Sequence, residues 1–193
     1  MNTHRPLHTR RQFLLNTLAA CACIACENRP AAGATTSSPA RSSTVEIENF
    51  SVAGASEGKV SVARVVKTDE EWRKLLSPES YAVTRRSGTE RPFSGKYDKE
   101  YGPGLYRCIC CDTALFDSKT KFDSGTGWPS FWQAISRPNT LEGPGDRFGM
   151  LGAAISCARC DAHLGHVFSD GPKPTGLRYC MNSVALNFIP RGG

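Results

Sequence analysis

The stretch that sets the predicted fold is 178-RYCMNS-183, which lies in a run of β-branched, aromatic and aliphatic residues over residues 177–189. This composition predicts one strand or two short ones. Because side chains alternate between the two faces of a strand, Arg178, Cys180 and Asn182 are expected to share one face. A neighbouring cation favours the thiolate, which is the nucleophilic form of cysteine. Cys180 is therefore either a reactive thiol or, like many free cysteines, a small buried apolar residue.

Two CxxC pairs precede this stretch, the first formed by Cys108 and Cys111 and the second by Cys157 and Cys160. Four thiolates in such pairs are typical of a closed structural zinc site. The 45 residues between the pairs exceed the usual spacing of a zinc ribbon. Two disulfides are the alternative in an oxidising compartment, and iron could occupy the same cage. A disulfide across only two intervening residues would be strained, so the pattern favours one zinc ion.

Residues 1–26 are predicted to be an export signal. Arg10 and Arg11 precede an apolar run that is too short to span a membrane, and the pair resembles a twin-arginine signal. Cys21 and Cys26 each follow residues that resemble a lipoprotein cleavage box. The sequence does not choose between them, and a disordered basic segment is the alternative. We expect an exported protein, either periplasmic or anchored by lipid in the membrane and facing the periplasm.

Residues 27–43 are rich in Ala, Ser, Thr and Pro, and this composition predicts a flexible tether. Residues 44–193 are expected to form one domain. The formal net charge of the chain is +6, and three arginines of the predicted signal supply half of it. The remaining charge forms no basic stripe, so we do not expect a nucleic-acid partner.

The domain is predicted to be mainly β, with short helices at its N-terminal side. Residues 44–66 alternate in the manner of one or two strands. Thr68 opens a capping box, and Pro78 begins a second helix that is expected to stop at Gly88. From Leu105 onward, short strand-like segments are separated by Gly, Pro and Asp, a pattern typical of an antiparallel β-domain.

Two further segments carry candidate site residues. Residues 123–131 form a glycine-rich loop with aromatic side chains, and residues 163–171 place His163 and His166 three positions apart, with Asp170 after them. Taken alone, each histidine is more often a structural hydrogen-bonding residue than a catalyst. An HxxH pair could also bind metal, but the four cysteines make a better cage.

Taken together, these motifs resemble the methionine-R-sulfoxide reductase B family over about residues 68–190. The resemblance is carried by the helix pair, GTERPF (residues 88–93), the two CxxC pairs, GWPSF (residues 127–131), HLGHVF-x-DGP (residues 163–172) and RYCMNS. It implies a mainly β, tent- or barrel-like fold of two antiparallel sheets, with structural zinc away from the catalytic centre. It also implies that a monomer reduces the R epimer of methionine sulfoxide in peptides or proteins, and so repairs oxidised exported proteins.

The resemblance implies a role for each candidate residue in the reaction. Cys180 is the expected nucleophile, which attacks the sulfoxide sulfur and becomes a sulfenic acid. His163 and His166 are expected to hold and protonate the sulfoxide oxygen, directly or through water. Asp170 is expected to orient this pair of histidines.

The same resemblance implies how the thiol and the substrate are surrounded. Arg178 and Asn182 are expected to flank the Cys180 sulfur. Trp128 is expected to receive the methyl group of the substrate on its ring, and Phe131 is expected to extend that apolar wall.

One position departs from the family pattern. The family often carries a resolving cysteine in the GWPSF loop, where this chain has Thr126. Cys110 lies inside the predicted zinc knuckle, and Cys23 or Cys26 could serve only if cleavage occurs at Cys21 and the tether folds back. The simplest expectation is that an external thiol, thioredoxin-like or small, reduces the sulfenic acid on the exported side.

Two functions of other classes remain possible from the sequence. The paired CxxC motifs alone would suit a zinc-ribbon-like binding module without turnover. Cys180 alone would suit a thiol peroxidase. Reduction of racemic methionine sulfoxide with dithiothreitol separates both from the reductase.

Overall fold

The computed structural model describes residues 42–192. The predicted export signal, and the predicted tether apart from Ser42 and Ser43, lie outside the described residues. Within the described range, none of the helices has the length and apolarity needed to cross a membrane.

Residues 44–66 form an antiparallel hairpin of β1 (Thr44–Phe50) and β2 (Ser56–Ala63), which confirms the expectation of one or two strands. The amide of Asn139 joins this hairpin to the rest of the domain. Its oxygen accepts from the backbone N–H of Glu48 at 2.8 Å, and its nitrogen donates to the carbonyls of Glu48 and Ala114, each at 2.8 Å. The fully buried amide is thus satisfied, which avoids the cost of an unpaired buried polar group.

The two predicted helices are present as α1 (Asp69–Leu75) and α2 (Pro78–Arg86). The capping box at Thr68 is complete: its hydroxyl accepts from the N–H of Glu71, and the Glu71 carboxylate accepts from the N–H of Thr68. The second helix ends one residue earlier than predicted, because Ser87 rather than Gly88 adopts the left-handed conformation, with φ of 53°.

Nine strands follow the helices in the described chain. They are β3 (Gly104–Cys108), β4 (Ala114–Asp117), β5 (Lys121–Phe122), β6 (Ser130–Phe131), β7 (Thr140–Asp146), β8 (Gly152–Cys157), β9 (His163–Phe168), β10 (Arg178–Met181) and β11 (Leu186–Pro190). They form a six-stranded sheet in the order β5-β6-β10-β9-β8-β7 and a three-stranded sheet in the order β11-β3-β4. Every pairing is antiparallel, which confirms the predicted mainly β-fold.

Aromatic side chains from both sheets meet in the core. Phe116 of β4 stacks on Phe131 of β6 with ring centroids 4.5 Å apart, and Tyr106 of β3 meets Phe131 edge-on at 4.9 Å. All three residues are fully buried, and each such ring contributes about 2 kcal/mol by leaving water. This contact fixes β6, and therefore its neighbour β10, against the second sheet.

Candidate active site

Cys180 lies on β10, between two partner strands of the six-stranded sheet. In the register of that sheet, Cys180 is directly opposite Ser130 of β6 on one side and His166 of β9 on the other. Directly opposed residues project from the same face of an antiparallel sheet. The thiol is thus flanked by a hydroxyl and an imidazole, while Tyr179 on the opposite face packs against Phe116.

The Cys180 thiol borders a cavity of about 360 Å³. His166, Trp128 and Asn182 also line this cavity. Cys180 is half-buried rather than sealed in the core. The alternative of a structural, inaccessible cysteine is therefore not supported by its position.

A bulge in β9 brings the two histidines together. Residues three apart on a regular strand would face opposite sides of the sheet. Ile155 and Ser156 are consecutive in β8, but their partners in β9 are Gly165 and His163. Leu164 is therefore an extra, unpaired residue in β9. The register shift places the His163 and His166 rings edge to face with centroids 5.1 Å apart.

Burial keeps both imidazoles neutral at ordinary pH. His163 is buried, and desolvation together with the neighbouring His166 lowers its pKa to about 4. Burial also lowers the pKa of His166. The buried Nε2 of His163 has no hydrogen-bond partner among the described residues. Each neutral ring carries one N–H donor and one acceptor nitrogen.

Asp170 does not orient these histidines, contrary to the expectation from the family resemblance. Its carboxylate instead accepts two hydrogen bonds from Arg178, at 2.9 Å from Nε and 2.8 Å from Nη2. The cause is the register of β9 and β10, which pairs Phe168 with Arg178 and so brings the residues just beyond β9 to the guanidinium. Hydrogen bonding from Arg178 lowers the pKa of Asp170. The guanidinium also lies over the Phe168 ring, with its Cζ 4.2 Å from the ring centroid.

The neighbouring cation, which by sequence favours the thiolate, does not set the net shift of the Cys180 pKa. Burial raises the pKa of Cys180, and this effect outweighs the opposing influence of the Thr126 hydroxyl, Arg178 and Ser130. Thr126 Oγ1 lies 3.9 Å from the sulfur. Ser124 Oγ is 2.8 Å from both Thr126 Oγ1 and Ser130 Oγ, so three hydroxyls form one cluster beside the thiol.

Sequence reasoning missed this hydroxyl cluster. Serine and threonine are common in loops for turn geometry alone, so their presence in residues 123–131 gave no signal. The register of β6 against β10 is what turns Ser130 toward the sulfur.

Asn182 lies one residue beyond the end of β10 and lines the same cavity as Cys180, on the side where the sequence predicted it. The strand stops at Met181, and Asn182 is buried at the start of a 3₁₀ turn, Ser183–Ala185. Its amide accepts from the N–H of Glu90 at 2.9 Å and donates to the carbonyl of Leu164 at 3.0 Å. Asn182 therefore joins the loop around Glu90 to the bulge of β9, at the wall of the cavity.

Trp128 lies on the same cavity, as expected, and the loop around Glu90 holds its indole. Its Nε1 donates to the carbonyl of Glu90 at 3.1 Å. The Glu90 carboxylate in turn accepts from the backbone N–H groups of Ser183 and Val184, at 2.8 and 3.0 Å. A motif that sequence reasoning used only for family resemblance thus fixes the position of the indole.

Phe131 does not extend the substrate wall, and that expectation was wrong. The side chains of Ser130 and Phe131 alternate on β6, and Ser130 faces the thiol. Phe131 must therefore point to the opposite face, where it is fully buried between the sheets against Phe116 and Tyr106.

The four predicted metal ligands do converge. The sulfurs of Cys108, Cys111, Cys157 and Cys160 all lie within 4.8 Å of one another. Two cross-pair distances are 3.6 Å for Cys108 to Cys160 and 3.5 Å for Cys111 to Cys157. Sulfur–metal bonds of about 2.3 Å in a tetrahedron place sulfurs about 3.8 Å apart, whereas a disulfide would need about 2.05 Å. All four are free thiols, so the geometry fits a metal cage rather than two disulfides.

The local sequence explains why the two halves of the cage match. Each CxxC is followed by aspartate, and Asp112 and Asp161 are both left-handed, with φ of 61° and 56°. Asp112 N–H donates to Cys108 O at 2.9 Å, and Asp161 N–H donates to Cys157 O at 3.0 Å. Aspartate tolerates this conformation better than most residues. The aspartate after each CxxC pair therefore closes the same kind of turn in both halves of the cage.

A half-buried thiol beside two neutral imidazoles, with a separate four-cysteine cage, defines a thiol-dependent oxidoreductase. A family model described as the SelR domain matches residues 76–190. The peptide methionine sulfoxide reductase MsrB of Pseudomonas putida (strain W619) is 59% identical over 130 residues, covering 67% of this chain and 98% of that protein. The MsrB of Pseudomonas syringae pv. syringae (strain B728a) is 59% identical over 128 residues, covering 66% and 98%.

The chain belongs to the methionine-R-sulfoxide reductase B family. It is an oxidoreductase that reduces the R epimer of peptide methionine sulfoxide in a thiol-dependent reaction. This assignment replaces the two alternatives of a zinc-ribbon-like binding module and a thiol peroxidase.

Proposed function

We propose that Cys180 is the nucleophile of this reductase and that His163 and His166 manage the proton of the reaction. The observation that carries the proposal is that the Cys180 thiol, His166 and Trp128 line one cavity. The Cys180 sulfur attacks the sulfoxide sulfur, and two electrons pass to the methionine. The bond between the substrate sulfur and its oxygen breaks, the oxygen is transferred to the Cys180 sulfur, and Cys180 becomes a sulfenic acid as methionine leaves.

The proton that Cys180 loses is the proton that the sulfoxide oxygen needs. Cys180 is protonated at rest and both imidazoles are neutral, so the site holds one transferable proton. His166 faces Cys180 across the strands and is placed to accept this proton and pass it to the oxygen. His163 packs on His166 and orients its ring.

Arg178 favours the transient thiolate, with Asp170 as its positioning partner. Both the charge and the hydrogen bonding of Arg178 oppose the effect of burial on the Cys180 thiol. The two hydrogen bonds from Arg178 to Asp170 hold the guanidinium in one orientation. Trp128 supplies the apolar wall for the substrate methyl group, and Asn182 acts through Glu90 to hold that wall.

An external thiol is proposed to regenerate Cys180. Thr126 lies 3.9 Å from the sulfur, at the position where the family often carries a resolving cysteine. Its hydroxyl cannot form a disulfide, and Cys110 lies within the knuckle of the metal cage. A thioredoxin-like protein or a small thiol therefore supplies the two electrons.

The metal is proposed to be one structural zinc ion, and the protein is proposed to be a monomer exported to the periplasm. Four thiolates in tetrahedral reach are the donor set that zinc prefers, and all four are used, which leaves no position for substrate. Export is supported by the arginine pair and apolar run of residues 1–26. Mass spectrometry of the mature N-terminus tests this, since an intact, unmodified Met1 would contradict export with cleavage.

A single turnover without reductant tests the chemistry and the external donor together. One equivalent of the R epimer should be reduced per protein when racemic N-acetyl-methionine sulfoxide is supplied, and the S epimer should remain. Cys180 should then react with dimedone as a sulfenic acid, with one thiol lost per protein. Loss of two thiols, with Cys180 disulfide-bonded to Cys110, would contradict the external donor but not the reductase.

The pH dependence follows from the proton count of the site. We expect the single-turnover rate constant to vary by less than about twofold between pH 7 and 8.5, because the proton stays within the site there. The rate should fall at acid pH, where His166, whose pKa burial lowers, and His163, whose pKa is about 4, gain a proton. It should also fall at high pH, where the Cys180 thiol loses its proton to solvent.

Alkylation of Cys180 by iodoacetamide without substrate is the control for this profile. That reaction requires the thiolate alone, so its rate should rise about tenfold per pH unit over the same interval. If reduction rose in parallel with alkylation, the thiolate would form before substrate binds, and the internal transfer through His166 would be wrong.

A further inference from the structure

The turn between β7 and β8 exposes three large apolar side chains in four positions. Phe148, Met150 and Leu151 are 85%, 98% and 83% exposed. Nine large hydrophobic side chains are exposed in the described part of the chain, and a third of them are in this short segment. We refer to residues 148–151 as the apolar loop. Clustered exposure of this kind is unfavourable in water and marks interaction surfaces.

The apolar loop is continuous with the catalytic cavity. Met150 and Leu151 line the cavity that holds Cys180 and Trp128, whereas Phe148 lies outside it. A polypeptide whose side chain is bound in the cavity can extend over the rim that Met150 and Leu151 form. The occupant of the loop is therefore the molecule whose methionine sulfoxide is in the cavity.

The base of the apolar loop is held in place although its tip is exposed. Arg147, just before the loop, pairs with Glu142, and its carbonyl accepts from the N–H of Ser169 at 3.0 Å. Gly152, just after it, has φ of 70°, and a Cβ there would meet the carbonyl of Val167 at 2.8 Å. The loop is thus a positioned part of the fold, and its exposed side chains have a defined place beside the cavity.

The chemistry of the loop matches the surroundings of methionine in proteins. Methionine is among the residues most often buried in folded proteins, so an oxidised methionine becomes accessible when a polypeptide unfolds, together with other apolar residues of the former core. Methionine and phenylalanine are enriched at interface cores, and the flexible methionine side chain suits partners of varied sequence.

We propose that the apolar loop binds the apolar residues that flank methionine sulfoxide in an unfolded polypeptide. This rests on the proposed function and adds a substrate preference to it. Free methionine sulfoxide can fill the cavity but cannot reach Phe148. A polypeptide substrate with apolar flanks would gain contact area that a polar-flanked peptide would lack.

The test compares three substrates with dithiothreitol as the reductant, so that docking of a protein reductant has no influence. The substrates are N-acetyl-methionine (R)-sulfoxide, a peptide with leucine and valine beside the sulfoxide, and a matched peptide with serine and lysine there. For the unaltered protein, kcat/KM should be about tenfold higher for the apolar-flanked peptide than for the polar-flanked one. Phe148→Ser should remove most of this preference and leave the rate with the blocked amino acid within twofold.

Val66→Ser is the matched control, because Val66 is 82% exposed and is not among the residues that line the cavity. It should keep the preference. The proposal is overturned if the unaltered protein shows no preference, if Phe148→Ser keeps it, or if sedimentation shows that Phe148 holds a dimer of this chain together. Failure of the unaltered protein to reduce even the blocked amino acid would instead overturn the proposed function.

Discussion

Replacing Cys180 with serine is expected to abolish sulfoxide reduction, lowering the single-turnover rate by at least about a thousandfold. A serine hydroxyl does not ionise in this pH range, and it cannot pass through a sulfenic acid, so both the nucleophile and the electron source are lost. Cys180 lies on β10 and is not among the four cage cysteines. The variant should therefore keep its metal and its thermal unfolding temperature. Turnover of the R epimer by chromatography, beside metal analysis by mass spectrometry, measures both.

Cys110→Ser is the control for this variant. Cys110 is also a free, partly buried thiol outside the set of four cage ligands, so a general requirement for cysteine would affect both variants alike. It should reduce the sulfoxide at the rate of the unaltered protein. Continued turnover by Cys180→Ser, or equal loss in both variants, would remove Cys180 from the role of nucleophile.

The parts of the site that sequence could predict are those fixed by local chemistry. The cage could be predicted from the two CxxC pairs, because the aspartate after each pair closes the same kind of turn. The catalytic strand follows from composition and alternation, and Tyr179 does face the core while Cys180 faces the cavity. The capping box at Thr68 is equally local.

The parts that sequence could not predict depend on register between distant strands. Asp170 bonds to Arg178 because of how β9 pairs with β10, and Phe131 is in the core because Ser130 takes the face beside the thiol. The two histidines meet only because Leu164 is an extra residue in β9. Alternation along one strand contains none of this information, and the resemblance to a family does not supply it either.

The protonation state of Cys180 shows the same limit in electrostatic terms. The adjacent Arg178 is visible in the sequence and does act to lower the pKa of the thiol. The extent of burial is not visible, and it is the larger effect at this position. A cation near a cysteine in the sequence therefore predicts the direction of one contribution to the pKa of the thiol. The net shift of that pKa depends on how deeply the thiol is buried.

Loss of the metal is expected to unfold the domain, because the cage connects the two sheets. Cys108 ends β3 of the three-stranded sheet, and Cys157 ends β8 of the six-stranded sheet. The sulfurs that approach at 3.5 and 3.6 Å belong to different pairs, so the metal bridges the sheets at both contacts. Cys108→Ser should therefore lower the free energy of unfolding by roughly 5 kcal/mol or more, a substantial part of what a structural zinc ion supplies. Chemical denaturation followed by far-UV circular dichroism measures this loss.

Metal analysis completes the test and identifies the ion. The unaltered protein should contain one zinc ion per chain and be colourless, whereas iron in four thiolates would absorb visible light. Cys110→Ser, in the same turn but outside the cage, is the matched control and should lose less than about 1 kcal/mol. Stripping the metal with a chelator should unfold the unaltered protein to the same degree as Cys108→Ser, since both remove the link that the cage makes between the sheets. If Cys108→Ser kept full stability, the packing of Tyr106, Phe116 and Phe131 alone would be sufficient to hold the sheets together.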